Sequence, residues 1–256
     1  MLTAGLDIGS RTIALVEWNG ERILREEVVF TGTDPLLKSK RLIEGRSYDR
    51  IVATGYGRHL ATENKLADEV VTEIKAHAIG ACHLYPDTRT VLDIGGQDSK
   101  AILIGPDGNV LRFEMNDRCA AGTGRFLENM ALALELGIEQ LGDHALAADG
   151  KAVRLSSMCT VFAESEVVSL IGCGENSHRV ALGVHQAIVD RVSAMLNRIG
   201  VHSRLVFAGG VACNPCVRQL LAVAVGMPLT VPDNPQTVGA LGAAIHAARK
   251  LQYIPI

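Results

Sequence analysis

The chain has 256 residues, of which 48% are hydrophobic and 21% are charged, and its formal net charge is −3. This composition is typical of a globular protein large enough for two compact lobes, and the absence of a Lys/Arg-rich block argues against a nucleic-acid partner. The start of the chain lacks a basic segment and no run approaches 18 apolar residues, which predicts a cytoplasmic protein without a membrane span.

The predicted elements repeat one plan along the chain. Strands at 2–8 and 12–18 flank a short glycine turn, and strands at 90–94 and 99–104 flank another. The remaining predicted elements are strands at 21–31, 50–54, 110–115, 204–208 and 228–231 and helices at 69–84, 123–137, 161–172, 177–200, 214–225 and 237–251. This repetition predicts an α/β fold with two lobes and a central cleft, in which the last helix packs back across the lobes. The lobes comprise residues 1–86 and 87–256.

Three glycine turns carry the first chemical signal. Asp7 and Asp93 end the strands before the first two turns, and the third turn follows the strand at 204–208. Bare backbone N–H groups can surround phosphate oxygens, and carboxylates can hold Mg²⁺ through water. Each turn taken singly is better explained by ordinary turn chemistry, and only the order and spacing of the three favour a nucleotide site. The expected nucleotide contacts are Gly9, Ser10, Arg11, Thr12, Gly95, Gly96, Gly209, Gly210, Val211 and Asn214.

Gln97 and Asp98, in the second turn, bear on the reaction type. Glutamine cannot act as a strong base toward an alcohol, but it can orient an attacking water, so Gln97 favours hydrolysis of ATP. Asp98 could serve as a base, which keeps a small-molecule kinase as the alternative.

Two cysteines, Cys119 and Cys159, each stand just ahead of a predicted helix. Helix N-termini favour thiolates, and two copies of the chain would supply the four ligands of one [4Fe–4S] cluster. Burial as small hydrophobic residues and a four-thiolate Zn²⁺ site remain alternatives. Four residues that follow the first cysteine are further expected nucleotide contacts, the last of them at the ribose: Gly122, Thr123, Gly124 and Glu128. The pair Cys213 and Cys216 has the spacing of a redox motif but is interpreted as helix packing, with redox or metal chemistry as the alternative.

In order and spacing, the three glycine turns resemble the two phosphate segments and the adenosine segment of the actin, Hsp70 and sugar-kinase ATPases, which share a ribonuclease H-like fold. This resemblance implies that Asp7 and Asp93 face each other across the cleft. Segments 91–100, 116–128 and 158–166 are more specific, since they resemble the activator family of 2-hydroxyacyl-CoA dehydratases, which includes ATPase subunits of benzoyl-CoA reductases.

The family resemblance implies a homodimeric ATPase that binds ATP or ADP with Mg²⁺. One [4Fe–4S] cluster would lie between the subunits, ligated by Cys119 and Cys159 of each. Single electrons, accepted from a ferredoxin or flavodoxin, would pass at low potential to a partner iron–sulfur enzyme: a 2-hydroxyacyl-CoA dehydratase, an aryl-CoA reductase or a double-cubane cluster protein. A small-molecule kinase and an Hsp70-like binding module are the rival functions.

Overall fold

The computed structural model describes residues 1–118, 120–156 and 159–252. Its contacts divide the chain into two compact units. Unit 1 comprises Met1–Val91, Ile102–Phe113 and the described residues from Pro232 onward, and unit 2 comprises Leu92–Ala101 and the described residues of Glu114–Val231. The single lobe boundary expected after residue 86 stays a prediction. In the described ranges, no helix combines the length and apolar character that crossing a bilayer requires.

The first sheet has the strand order β3-β2-β1-β4-β5. Its strands are β1 (Thr3–Ile8), β2 (Thr12–Trp18), β3 (Ile23–Phe30), β4 (Arg50–Thr54) and β5 (Glu69–Val70). The helices along this part of the chain are α1 (Pro35–Ile43), α2 (Arg58–Glu63) and α3 (Glu73–Leu84). Because β1 pairs antiparallel with β2 and parallel with β4, it lies at the centre of the sheet, and its side chains are almost entirely buried.

The second sheet has the order β10-β9-β6-β7-β8. Its strands are β6 (Thr90–Ile94), β7 (Ser99–Ile104), β8 (Val110–Asn116), β9 (Leu205–Ala208) and β10 (Leu229–Thr230). The helices are α4 (Gly124–Ala133), α5 (Ile138–Leu146), α6 (Thr160–Gly172), α7 (Ser177–Ile199), a 3₁₀ turn (Gly210–Cys213), α8 (Pro215–Val225) and α9 (Val238–Gln252). A mixed α/β protein with two sheets confirms the predicted fold class.

Several boundaries differ from the sequence prediction. The helix expected at 69–84 begins only at Glu73, because the Thr72 hydroxyl accepts the Lys75 amide and caps it. Residues 69 and 70 instead form the short strand β5 beside β4. Helix α4 ends at Ala133 and not at 137, and Glu135 beyond it takes a left-handed conformation that stops the helix. Helices α1, α2 and α5 were not predicted.

Helix α9 packs backbone to backbone within unit 1. It contacts α3 and β1, and a Cβ added at Gly242 would overlap the Ala76 carbonyl oxygen of α3. Conversely, a Cβ at Gly80 of α3 would overlap the Val238 carbonyl oxygen of α9. Residues 238–248 of α9 are buried. The small-residue run at 239–244 therefore permits a contact that larger side chains would prevent.

We predict that Gly242→Ala destabilises the protein although alanine favours helices. The new methyl group must displace the α3 backbone, which costs about 1–3 kcal/mol in overpacked interiors. Gly172→Ala in α6 is the matched control, since a Cβ there meets nothing within 4 Å. Chemical denaturation of both variants measures the difference in the free energy of unfolding. Equal stabilities for the two would contradict the packing argument.

Candidate functional site

The first glycine turn lies in unit 1 at the end of β1. The Gly9 amide donates to the Thr12 carbonyl at 2.9 Å, and the Thr31 hydroxyl donates to the Gly9 carbonyl at 2.8 Å. The carboxylate of Asp7 is half-buried, and its two oxygens occupy the space that a Cβ would need at Gly55 and Gly239. The three other expected contacts of the turn are all partly exposed: Ser10, Arg11 and Thr12. Glycines from two other segments thus leave room for the Asp7 carboxylate.

The second glycine turn lies in unit 2 and holds a buried ion-pair cluster. The Gly95 amide donates to the Asp98 carbonyl at 3.0 Å, which closes the turn in the same way as the first one. Lys100 Nζ lies 3.3 Å from Asp93 Oδ2 and 2.8 Å from Asp98 Oδ1, and only 4% of its side chain is exposed. Gln97 lies exposed in the turn. Sequence reasoning missed the position of Lys100, because its burial depends on the fold.

The third glycine turn and the start of α4 meet the second turn. Gly209 has φ +85°, and a Cβ there would overlap the Ile94 carbonyl and Asp93 Oδ1. The Gly124 and Arg125 amides donate to the carbonyls of Gly95 and Gly96 at 2.9 and 2.8 Å. Within unit 2 the structure therefore brings together six of the predicted contacts: Gly95, Gly96, Gly124, Gly209, Gly210 and Val211.

Asn214 is held from two sides. Its Oδ1 accepts the Val217 amide at 3.0 Å and so caps α8. Its Nδ2 must then donate to His185 Nε2, which lies 3.0 Å away on α7, while His185 Nδ1 donates to the Ala181 carbonyl at 2.7 Å. His185 is fully buried, and that burial lowers its pKa. A histidine to which the sequence assigned no role thus orients a predicted nucleotide contact.

The segment after the first cysteine folds around a left-handed glycine. Cys119 itself lies outside the described residues. Gly122 has φ +93°, and the buried Thr123 donates its hydroxyl to the Ala120 carbonyl at 2.6 Å. Glu128 pairs with Arg125 at 3.1 Å on the surface of α4. The nucleotide roles of Gly122, Thr123 and Glu128 stay predictions.

Cys159 is exposed and stands at the N-cap of α6, where its side chain makes no capping hydrogen bond. Cys216, by contrast, is buried in the first turn of α8, and its burial raises the pKa of the thiol to about 12. A thiol with such a pKa remains protonated near neutral pH, which supports the packing interpretation of Cys216. Across the described ranges, no three His, Cys, Asp or Glu side chains are grouped as a metal site.

Proteins of known structure share this fold. A ROK family glucokinase from Streptomyces griseus shares the fold, with a TM-score of 0.62 at 15% identity over 97% of this chain and 100% of that one. The activator of the 2-hydroxyisocaproyl-CoA dehydratase from Clostridium difficile, solved with bound ADPNP, superposes with a TM-score of 0.90 at 39% identity. That similarity covers 100% of this chain and 98% of the solved one. The fold is therefore that of the sugar-kinase-like ATPases.

A family match makes the assignment specific. Residues 37–247 match the model of the BadF/BadG/BcrA/BcrD ATPase family, and the chain belongs to that family. The (R)-2-hydroxyglutaryl-CoA dehydratase activating ATPase of Acidaminococcus fermentans is 38% identical over 257 residues, which cover 97% of each chain. The resemblance seen in the sequence is confirmed, and the protein is an ATPase.

We predict that His185→Gln reduces the loss of stability in acid. The folded pKa of His185 lies below its ordinary value of about 6.5, so on acidification the unfolded chain takes up this proton first. The contribution of neutral His185 to the free energy of unfolding is therefore complete above the ordinary histidine pKa of about 6.5, and it decreases as the pH falls below that value. Glutamine can still accept from Asn214 but cannot be protonated. Denaturant titrations at pH 7.5 and about 5.5, with exposed His59→Gln as control, should show a shallower dependence for His185→Gln only.

Proposed function

We propose that this ATPase is an activator that passes single electrons from a [4Fe–4S] cluster to a partner iron–sulfur enzyme. The cluster would join two copies of the chain through Cys119 and Cys159 of each. The acceptor would be of the 2-hydroxyacyl-CoA dehydratase, aryl-CoA reductase or double-cubane type, and the donor a ferredoxin or flavodoxin. The matched relatives, which are named as a dehydratase activator and an activating ATPase, support the activator role.

Helix α6 carries the main structural support. The exposed Cys159 begins this helix, and apolar side chains stand out from the same helix into solvent. Val161 and Phe162, in its first turn, are each 67% exposed, and Val168 is 55% exposed. Several large apolar side chains left exposed on one helix are typical of an interaction site. Its position beside the cysteine supports a second copy of the chain that covers α6 and completes the ligand set.

The described residues around Cys159 fit an anionic cluster. A helix N-terminus offers unpaired N–H groups and partial positive charge, which stabilise thiolate and sulfide. Among the residues that the structure describes, the buried Thr160 hydroxyl has no hydrogen-bond partner, and it would donate to a sulfur acceptor placed beside it. When bound, such a cluster stores and releases single electrons.

Each unit carries candidate nucleotide groups of its own. Asp7 in unit 1 and Asp93 in unit 2 are the carboxylates proposed to hold Mg²⁺ through water, and the amides of the glycine turns would bind phosphate oxygens. Gln97, exposed in the second turn, would orient the attacking water. Lys100 places a buried positive charge beside Asp93, which keeps that carboxylate in one orientation.

Asp98 bears on the kinase alternative. Its Oδ1 is paired with Lys100, and the same oxygen lies 2.9 Å from where a Cβ on Gly95 would be. The carboxylate is thus engaged by its own turn. A base for a substrate hydroxyl would have to approach that hydroxyl within hydrogen-bond reach, so the position of Asp98 favours hydrolysis over phosphorylation of a metabolite.

We predict that anaerobically prepared protein is a dimer with about four iron atoms per two chains. Cys119→Ala and Cys159→Ala should each lose the iron and its visible absorption, because each removes two of the four ligands, while ATP binding remains. Cys173→Ala is the matched control, since Cys173 is an exposed thiol at the other end of α6. Iron analysis, sizing by light scattering and nucleotide titration provide the readouts. Full iron in either of the first two variants would refute the ligand assignment.

Replacement of Gln97 tests the hydrolytic role separately. We expect Gln97→Ala to lower the rate of ATP hydrolysis by about 100-fold, because the attacking water loses its orientation. Nucleotide affinity should change little. Gln219→Ala, at an exposed position of α8, is the control. Single-turnover hydrolysis and equilibrium nucleotide binding distinguish the two effects, and an unchanged rate in Gln97→Ala would exclude the assigned role.

A further inference from the structure

The loop at 116–122, which contains Cys119, is closed by side chains at its base. Asn116 Nδ2 donates to the Ala121 carbonyl at 3.0 Å and so links the two ends of the loop. Arg191 of α7 donates from Nη2 to Asn116 Oδ1 at 3.3 Å. The methylene carbons of Arg191 also lie 3.2–3.6 Å from the position that a Cβ on Gly122 would take. One side chain from outside the loop therefore contacts both of its ends.

The far end of this loop is also bonded to the second glycine turn. Ser99, which follows that turn, donates its hydroxyl to the Gly122 carbonyl. The Gly124 and Arg125 amides donate to the carbonyls of Gly95 and Gly96. These bonds connect the second turn to the Gly122 end of the loop and to the start of α4, while Arg191 connects both ends of the loop to α7.

We propose that Arg191 is a positioning residue that fixes the loop carrying Cys119 and sets how far that cysteine responds to nucleotide. This inference rests on the proposed roles of Cys119 and of the second turn. Arg191 acts through Asn116 and Gly122, and it touches neither nucleotide nor electron acceptor. Without its guanidinium, the Asn116 end of the loop loses this hydrogen bond to α7, and the loop would absorb movement of the second turn.

The chain offers a matched control on the same helix and strand. Arg198, two turns further along α7, pairs with Glu114 of β8 at 3.2 Å. Glu114 precedes the loop in the sequence and Arg198 follows it, and neither residue takes part in the contacts described above that close the loop. Arg198→Met thus removes an α7–β8 contact of the same chemical type and leaves the base of the loop intact.

The experiment compares Arg191→Met, Arg191→Lys and Arg198→Met in the anaerobic dimer. Methionine keeps apolar packing against Gly122 and loses the hydrogen bond, so folding is expected to survive. The rate of iron removal by a chelator is measured with ADP and with a non-hydrolysable ATP analogue, together with the cluster potential and its electron paramagnetic resonance spectrum. We expect Arg191→Met to lose iron about tenfold faster and to lose the nucleotide dependence of that rate. Arg191→Lys should keep part of the nucleotide dependence, and Arg198→Met should match the wild type in both the rate of iron loss and its nucleotide dependence.

A second readout keeps this inference separate from the cluster assignment. In iron-free protein, mass spectrometry follows the alkylation rate of Cys119 with and without the ATP analogue. Arg191→Met should abolish the nucleotide effect on that rate, and Asn116→Ala, which opens the same base, should do so too. If the wild type carries no iron, the cluster proposal fails and this measurement still tests Arg191. Rates and potentials in Arg191→Met that equal those of Arg198→Met would overturn the positioning role.

Discussion

Two backbone hydrogen bonds join the candidate-site segments of unit 2: those from the Gly124 and Arg125 amides to the carbonyls of Gly95 and Gly96. Amides at a helix N-terminus lack partners within their own helix. Here the turn that follows Asp93 accepts two of these amides, so the first residues of α4 lie in space against the second glycine turn. Gly209 can approach the end of β6, at the Ile94 carbonyl, because it has no Cβ. The second predicted phosphate turn, the predicted adenosine turn and the start of α4, which follows the cysteine-bearing loop, consequently share one set of contacts within unit 2.

The two glycine turns show how a repeated local pattern serves different chemistry. Each is closed by an amide that donates three residues ahead, from Gly9 to Thr12 and from Gly95 to Asp98. Glycines of other segments leave room for both carboxylates, Gly55 and Gly239 beside Asp7 and Gly209 beside Asp93. Asp93 is in addition paired with the buried Lys100. A fixed positive charge therefore orients the second carboxylate for its proposed part in binding magnesium and phosphate.

Much of the fold could be predicted because its signals are local. The strands around both glycine turns, helix α7 and the cysteine ahead of α6 follow from periodicity and spacing over a few residues. Strand β5 could not be predicted, since two residues have no period and its identity depends on pairing with β4. His185 lies within hydrogen-bond distance of Asn214, 29 residues away in the sequence, and Arg191 donates to Asn116, 75 residues away. Neither contact leaves a pattern in one sequence, so the orienting residues of the candidate site emerge only from the fold.

The arrangement of unit 1 also constrains how the protein is made. Its sheet is encoded in the first ninety or so residues, yet α9, which fills the space over β1 and α3, is encoded after residue 237. During synthesis, which proceeds from the amino terminus, the apolar face that α9 covers has no cover until the whole of unit 2 has left the ribosome. The elements of unit 2 precede α9 in the chain, so unit 1 cannot complete its core before α9 has been synthesised. Slow translation of the residues between β8 and α9 would therefore prolong the exposure of the apolar face that α9 covers.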